Sequence, residues 1–191
     1  HLAFRDRFIV GGGTGVLGVC VVPRWLPGLV LIWIGTFTWS TARGAFPTVM
    51  QNGHSWAVIV GVNDYAELED LTYCQKDAVA LTAQLVKAGF PKDGVFVLSD
   101  AATDAKDRPS KVNVETRIRN VLQVAAAGDL VLVSFSGHGV FLDDKTYLCP
   151  SDARLNDPPG SMIPLQEVYS RLEECAATRK LLWVDACRDD P

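Results

Sequence analysis

Val131-Leu-Val-Ser-Phe-Ser-Gly-His138-Gly139 and Leu181-Leu-Trp-Val-Asp-Ala-Cys187-Arg188 are the two stretches whose reading decides the fold. Each is a short apolar run rich in Val and Leu, too short for an ordinary helix and bounded by a polar or Gly-rich end. That pattern predicts two buried strands, each ending on a reactive side chain. In an open parallel sheet the carboxyl ends of neighbouring strands form one edge, where such folds build their sites. His138 and Cys187 are therefore expected to meet there although 49 positions separate them. A thiol at its reference pKa of about 8.5 is only a few per cent thiolate at neutral pH, and a nearby imidazole raises that fraction and later supplies a proton.

Working outward, Trp56-Ala-Val-Ile-Val-Gly61 predicts a further strand, followed by the polar loop Val62-Asn63-Asp64-Tyr65. The spacing then predicts a helix from about Thr72, with Thr72 and Gln75 as a capping box, Ala78, Leu81 and Leu85 on one face and Gly89 as the stop. Val95-Phe-Val-Leu98 reads as a strand, residues 100–110 as a mobile polar loop, and residues 112–126 as a helix with Val114, Ile118, Val121 and Ala125 aligned. Tyr147-Leu148 reads as a short strand, residues 152–162 as loop, and Pro164 opens a last helix to about Glu174 before Lys180 begins the Cys187 strand. Strands alternating with helices predict a mostly parallel α/β sheet with right-handed crossovers.

The 191 residues are 48% hydrophobic and 21% charged, a globular composition with room for one domain and a core. Residues 1–50 hold four Arg against one Asp, so the remainder, with 14 basic and 21 acidic residues, carries −7. That balance argues against a nucleic-acid partner. The five cysteines Cys20, Cys74, Cys149, Cys175 and Cys187 form no CxxC pair, so neither a zinc ribbon nor a disulfide framework is indicated, and no metal ligand set is assigned.

Residues 8–39 are strongly apolar, with Arg5, Arg7 and Arg24 ahead of or inside the run. Residues 26–39, followed by Ser-Thr-Ala42-Arg-Gly44, have the length and flanks of a secretory signal with a small-residue cleavage site, and an uncleaved membrane anchor is the competing reading. Residues 1–50 are accordingly expected to be an export or anchor segment plus linker, and residues 51–191 the catalytic domain. A translated upstream segment is the bland alternative. Gly13-Thr-Gly15-Val-Leu-Gly18 spells a dinucleotide fingerprint, but Pro23 and Pro27 break the helix it requires and no acidic residue follows in range, so a nucleotide-binding domain is rejected.

Ser136-Gly137-His138-Gly139 and Asp185-Ala186-Cys187-Arg188, at this separation, resemble the two catalytic signatures of the caspase-like cysteine peptidases, most closely the metacaspase and bacterial caspase-domain branch. The resemblance runs from about residue 56 to 191, the region of a caspase large subunit. It implies a three-layer sandwich with helices on both faces, a polypeptide substrate, and a small-subunit region with further strands, absent from this chain, that completes the sheet and groove. It also implies Cys187 as nucleophile, His138 as acid–base partner, and the N–H groups of Gly139 and Cys187 as an oxyanion hole. Taken alone, a strand Cys is often a small hydrophobe and a Gly beside His suits a tight turn.

Where caspases have Gln before Ala-Cys this chain has Asp185, whose charge suits a Lys or Arg side chain and repels an acidic one. In metacaspases such a basic residue is held by a pocket whose members match Asp185, Ser136, Cys74 and Asp77. Asp77 also has a purely structural use, at the positive end of a helix dipole. Asp143-Asp144 is at most a remnant of the acidic insertion of calcium-dependent metacaspases, and calcium wants about six to eight oxygens, so no cofactor is expected. The sequence thus reads as an exported or anchored cysteine endopeptidase with Lys/Arg preference. A non-catalytic caspase-like interaction module is the alternative.

Overall fold

The computed structural model describes residues 16–21 and 53–189, and of residues 16–21 and 187–189 the backbone alone. The β-branched runs lie side by side as strands: β1 (Val16–Val21), β2 (Ser55–Gly61), β3 (Val95–Ser99), β4 (Leu130–Leu142) and β7 (Arg179–Asp189). They form a parallel sheet in the order β1-β7-β4-β2-β3, and β4 also turns back on the antiparallel strands β5 (Lys145–Leu148) and β6 (Ile163–Pro164). The helices are α1 (Cys74–Lys87), α2 (Lys111–Val124), the short α3 (Pro158–Ser161) and α4 (Leu165–Glu174).

Side-chain alternation along each strand assigns the layers. Val58 and Val60 of β2, Val131, Val133 and Phe135 of β4, and Leu182 and Val184 of β7 share a core with Val114, Ile118 and Val121 of α2 and Val168 and Leu172 of α4. On the opposite face Ala57, Ile59 and Leu132 pack with Ala78, Leu81 and Leu85 of α1. The result is the expected three-layer sandwich. Each fully buried Val, Leu or Phe contributes about 1.5–3 kcal/mol relative to exposure. Right-handed crossovers require a helix to change face when the direction of strand addition reverses. The chain adds β3 on one side of β2 and then β4 and β7 on the other, which sets α1 on the face opposite α2 and α4 and makes the β2/β4 boundary the switch point.

Several local expectations are corrected. Neither strand ends where the sequence predicts: β4 continues four residues past His138 and β7 two past Cys187, and their pairing runs on to Val140↔Asp189. The Thr72/Gln75 capping box does not form; the helix begins at Cys74, and the Gln75 N–H is taken by Asn63 Oδ1 at 3.2 Å. Residues 100–110 are tied down rather than loose, because Asp107 bonds Arg117 at 2.7 Å and Asn113 Nδ2 donates to the Ala105 and Arg108 carbonyls. Asp143 and Asp144 form the two-residue β4–β5 turn with φ of 49° and 59°, the left-handed pair that a tight hairpin requires.

The expected export or anchor segment gains no support. Six of residues 8–39 form β1, parallel to β7, and the rest lie outside the described residues. No helix among the described residues is long and apolar enough to cross a membrane. Gly18 lies within β1 instead of opening a helix, which agrees with rejecting the nucleotide fingerprint.

Asp129 joins β4 to the start of β2. Its carboxylate accepts from His54 N at 2.7 Å, Trp56 Nε1 at 3.0 Å and Ala126 N at 2.9 Å. Burial pushes its pKa upward, but these donors outweigh it and hold the carboxyl below the usual range. Asp129→Ala leaves several donors without an acceptor and is expected to cost on the order of 2–4 kcal/mol in urea unfolding. A depressed folded pKa gives stability that is present above the unfolded pKa and lost as pH falls through the folded one. The variant should therefore lose less stability on acidification than the parent.

Candidate functional site

The site is built on the α1 face where β4 and β7 run side by side. Ser136 pairs with Asp185 and, two residues on, His138 pairs with Cys187. Register partners on neighbouring strands share a face, and so do residues two apart on one strand. Ser136, His138, Asp185 and Cys187 therefore occupy a single face at two successive levels. On its other side Ser136 pairs with Gly61. A Cβ at Gly61 would meet the Cys74 carbonyl oxygen at 2.5 Å and the Ala78 Cβ at 2.9 Å, so α1 begins directly over this row.

Of the proposed pocket members, the structure brings Ser136 and Asp185 together as neighbours and seats the buried Cys74 one strand away over Gly61. Ser136 is buried and Asp185 half-buried. Asp77 lies exposed in the first turn of α1, its N–H bonded to the Tyr73 carbonyl at 2.9 Å. Among the described residues no hydrogen bond or ion pair ties it to Ser136 or Asp185. Gly139 pairs with Arg188 of β7 and Leu148 of β5. Trp183, on the same face, is 41% exposed.

The loop that follows β2 reaches the imidazole. Its base is closed by Leu71 N donating to the Asn63 carbonyl at 2.7 Å and by Tyr65 N donating to Asp70 Oδ1 at 2.9 Å. Asp100, at the end of β3, accepts the Asn63 N–H at 2.6 Å, and burial raises its carboxyl above the ordinary range against that bond. From this loop the Glu69 carbonyl lies 2.8 Å from His138 Nε2. A carbonyl only accepts, so Nε2 carries the proton and the neutral ring keeps its lone pair on Nδ1. Tyr65 packs its ring on the imidazole, centroids 4.9 Å apart, and its hydroxyl accepts the His138 backbone N–H at 2.8 Å. Burial pushes the Tyr65 phenol far upward, so it stays neutral.

Sequence reading missed Glu69 and Tyr65. Glu69 acts through its backbone and leaves no side-chain signal. Tyr65 stood in a loop recognised only as polar, although a loop leaving the first strand of a doubly wound sheet is where a switch-point site would draw residues from. Among the described residues no group of three or more His, Cys, Asp or Glu side chains is arranged to hold a metal.

Backbone register thus places His138 and Cys187 at one level of a parallel sheet in an α/β protein. The chain belongs to the caspase-domain family, peptidase family C14, whose domain matches residues 54–191. Metacaspase-3 of Arabidopsis thaliana is 32% identical over 110 residues, covering 52% of this chain and 30% of that protein. Metacaspase-1 of Mycosarcoma maydis is 28% identical over 87 residues, covering 46% of this chain and 22% of that protein. The matches thus span less than a third of either relative. A protein of Geobacter sulfurreducens with a solved crystal structure shares the fold at a TM-score of 0.58 and 20% identity, over 72% of this chain and 52% of that one.

Cys149 is fully buried with its sulfur 3.9 Å from Met162 Sδ, and burial pushes its thiol up to about 12. At pH 8 about one Cys149 in ten thousand is then thiolate. Iodoacetamide followed by peptide mass mapping should leave Cys149 unmodified in the folded chain and label it only after denaturation.

Proposed function

We propose that this protein is a cysteine endopeptidase that cleaves peptide bonds after Arg or Lys, with Cys187 as nucleophile and His138 as acid–base partner. The observation that carries the reading is the pairing of His138 with Cys187 two residues beyond the pairing of Ser136 with Asp185, all on one face. Membership of a cysteine-peptidase family supports it.

In this mechanism the Cys187 sulfur attacks the substrate carbonyl carbon, forming a C–S bond. Its proton passes to His138 Nδ1, since Nε2–H is held by the Glu69 carbonyl at 2.8 Å. The amide C–N bond breaks as His138 returns that proton to the departing amine, leaving a thioester. Water then attacks the thioester, giving a proton to His138, and the C–S bond breaks as His138 returns that proton to the sulfur, releasing a carboxylic acid and restoring the thiol. The N–H groups of Gly139 and Cys187 lie toward the β4–β7 ladder, since those of His138 face the other side, so receiving a transient oxyanion there would require the two strands to part at this level.

Asp185 supplies the charge that selects a basic side chain before the cut. Its half-buried setting strengthens the attraction, since two unit charges 4 Å apart interact by about 4 kcal/mol at an effective dielectric of 20, against about 1 kcal/mol in water. Ser136 and Cys74 line the same pocket, and Asp77 at its rim adds a second negative charge. The metacaspase relatives cover regions beyond this chain, so a further region completing the substrate groove belongs to this reading.

The test is labelling by a thiol-reactive peptide ending in Arg. Cys187→Ala should abolish labelling, and His138→Ala should slow it by about 10²–10⁴-fold. Asp185→Asn should weaken it by about 10–100-fold for the Arg probe while improving an Asp probe relative to it. Labelling indifferent to His138 would point instead to a non-catalytic interaction module, and faster reaction with the Asp probe in the parent chain would refute the proposed specificity.

A further inference from the structure

β4 changes partners at the site. It pairs with β2 up to Gly61↔Ser136, where Val62 N donates to the Ser136 carbonyl at 3.0 Å, and with β5 only from Gly139↔Leu148 onward. Gly137 and His138 fall in the gap. On a strand the N–H and C=O of one residue point to the same side, and both groups of His138 face this gap. Its carbonyl is satisfied by Cys149 N at 3.0 Å from the start of the next segment. Among the described residues no strand offers an acceptor for its N–H. A buried N–H without a partner costs about 1–3 kcal/mol, and the Tyr65 hydroxyl fills that role at 2.8 Å.

The same phenol constrains its surroundings in two further ways. Its ring lies against the imidazole at 4.9 Å between centroids, tilted by 51°. A Cβ at Gly137 would meet the Tyr65 hydroxyl at 2.7 Å and the Phe135 ring at 3.1 Å, so the backbone before His138 approaches the phenol as closely as only glycine permits. Ala66, the next residue, is anchored through its N–H to the Ser151 carbonyl at 2.9 Å. Tyr65 is thus held at both backbone and side chain.

We propose that Tyr65 is a positioning residue for His138. Its hydroxyl replaces the missing strand as partner of the His138 N–H, its ring fixes the plane of the imidazole, and together they keep Nε2–H on the Glu69 carbonyl so that Nδ1 remains the proton acceptor. The proposal rests on reading His138 as the partner of Cys187. It assigns Tyr65 no contact with substrate. Phe at this position would keep the ring contact and lose the hydrogen bond, and Ala would lose both.

The test reads the His138 tautomer directly, by nitrogen-15 NMR of the full chain at a pH where the ring is neutral, beside turnover of an Arg-ending peptide. The parent chain should show the Nε2–H form alone. Tyr65→Ala should give a mixture of tautomers and lower kcat by about 10–100-fold with KM little changed, and Tyr65→Phe should fall between. In a Tyr65→Phe background Gly137→Ala should destabilise less than in the parent, because the hydroxyl it would strike is gone. If Tyr65→Ala fails to fold, Tyr65→Phe carries the test. A pure Nε2–H tautomer in every folded Tyr65 variant overturns the proposal whatever the turnover. Should the parent prove unable to cleave while the tautomer shifts in the variants, the peptidase reading falls and the positioning role stands.

Discussion

The parallel pairing of β4 with β7 is the constraint on which the rest depends. It runs without interruption from Leu130↔Arg179 to Val140↔Asp189. Alternate residues of both strands enter one hydrophobic core with α2 and α4, while the intervening residues form the α1 face. Because strand side chains alternate with a period of two, slipping one strand by a single residue would expose its core side chains and carry its site residues to the opposite face. Phe135, Val133, Leu182 and Val184, all nearly fully buried, thereby fix where His138 and Cys187 stand. Core packing and site geometry are one specification.

A second constraint is the satisfaction of backbone polar groups where the sheet forks. β2 leaves β4 after Ser136 and β5 arrives at Gly139. The loop leaving β2 fills the gap and, in doing so, bonds both the backbone N–H and the ring Nε2 of His138. It is braced from below by Asn63, which Asp100 grips through its N–H and which itself accepts the first-turn N–H of Gln75. One loop therefore links the start of α1, the end of β3 and the ring of His138. Local strain is not needed to hold the imidazole; the hydrogen-bond accounting at a strand junction suffices.

Much of this was legible from residue types alone. Val/Leu runs gave the central strands because β-branched chains suit a pleated, buried surface, and the 3.6-residue spacing of Val114, Ile118 and Val121 gave α2 and the face it buries. The pairing of the Ser-Gly-His and Asp-Ala-Cys stretches was legible because short apolar strands of an α/β fold have few places to go. Other features depend on partners distant in sequence. The cap of α1 comes from Asn63, 12 residues from Gln75, so the local capping signal at Thr72 was outcompeted. Both strands outlast His138 and Cys187 because β5 and β7 continue the ladder, which no local pattern of Gly137 or Gly139 reveals. Glu69 contributes a carbonyl, a group every residue carries.

The central claim is the register of β4 against β7, and it is read most directly from interstrand nuclear Overhauser contacts between backbone protons of the two strands. The account predicts one continuous parallel ladder with His138 opposite Cys187 and Ser136 opposite Asp185. A ladder displaced by one residue would turn Cys187 to the face away from His138, and that result, or the absence of contacts linking the two strands at this level, would contradict it.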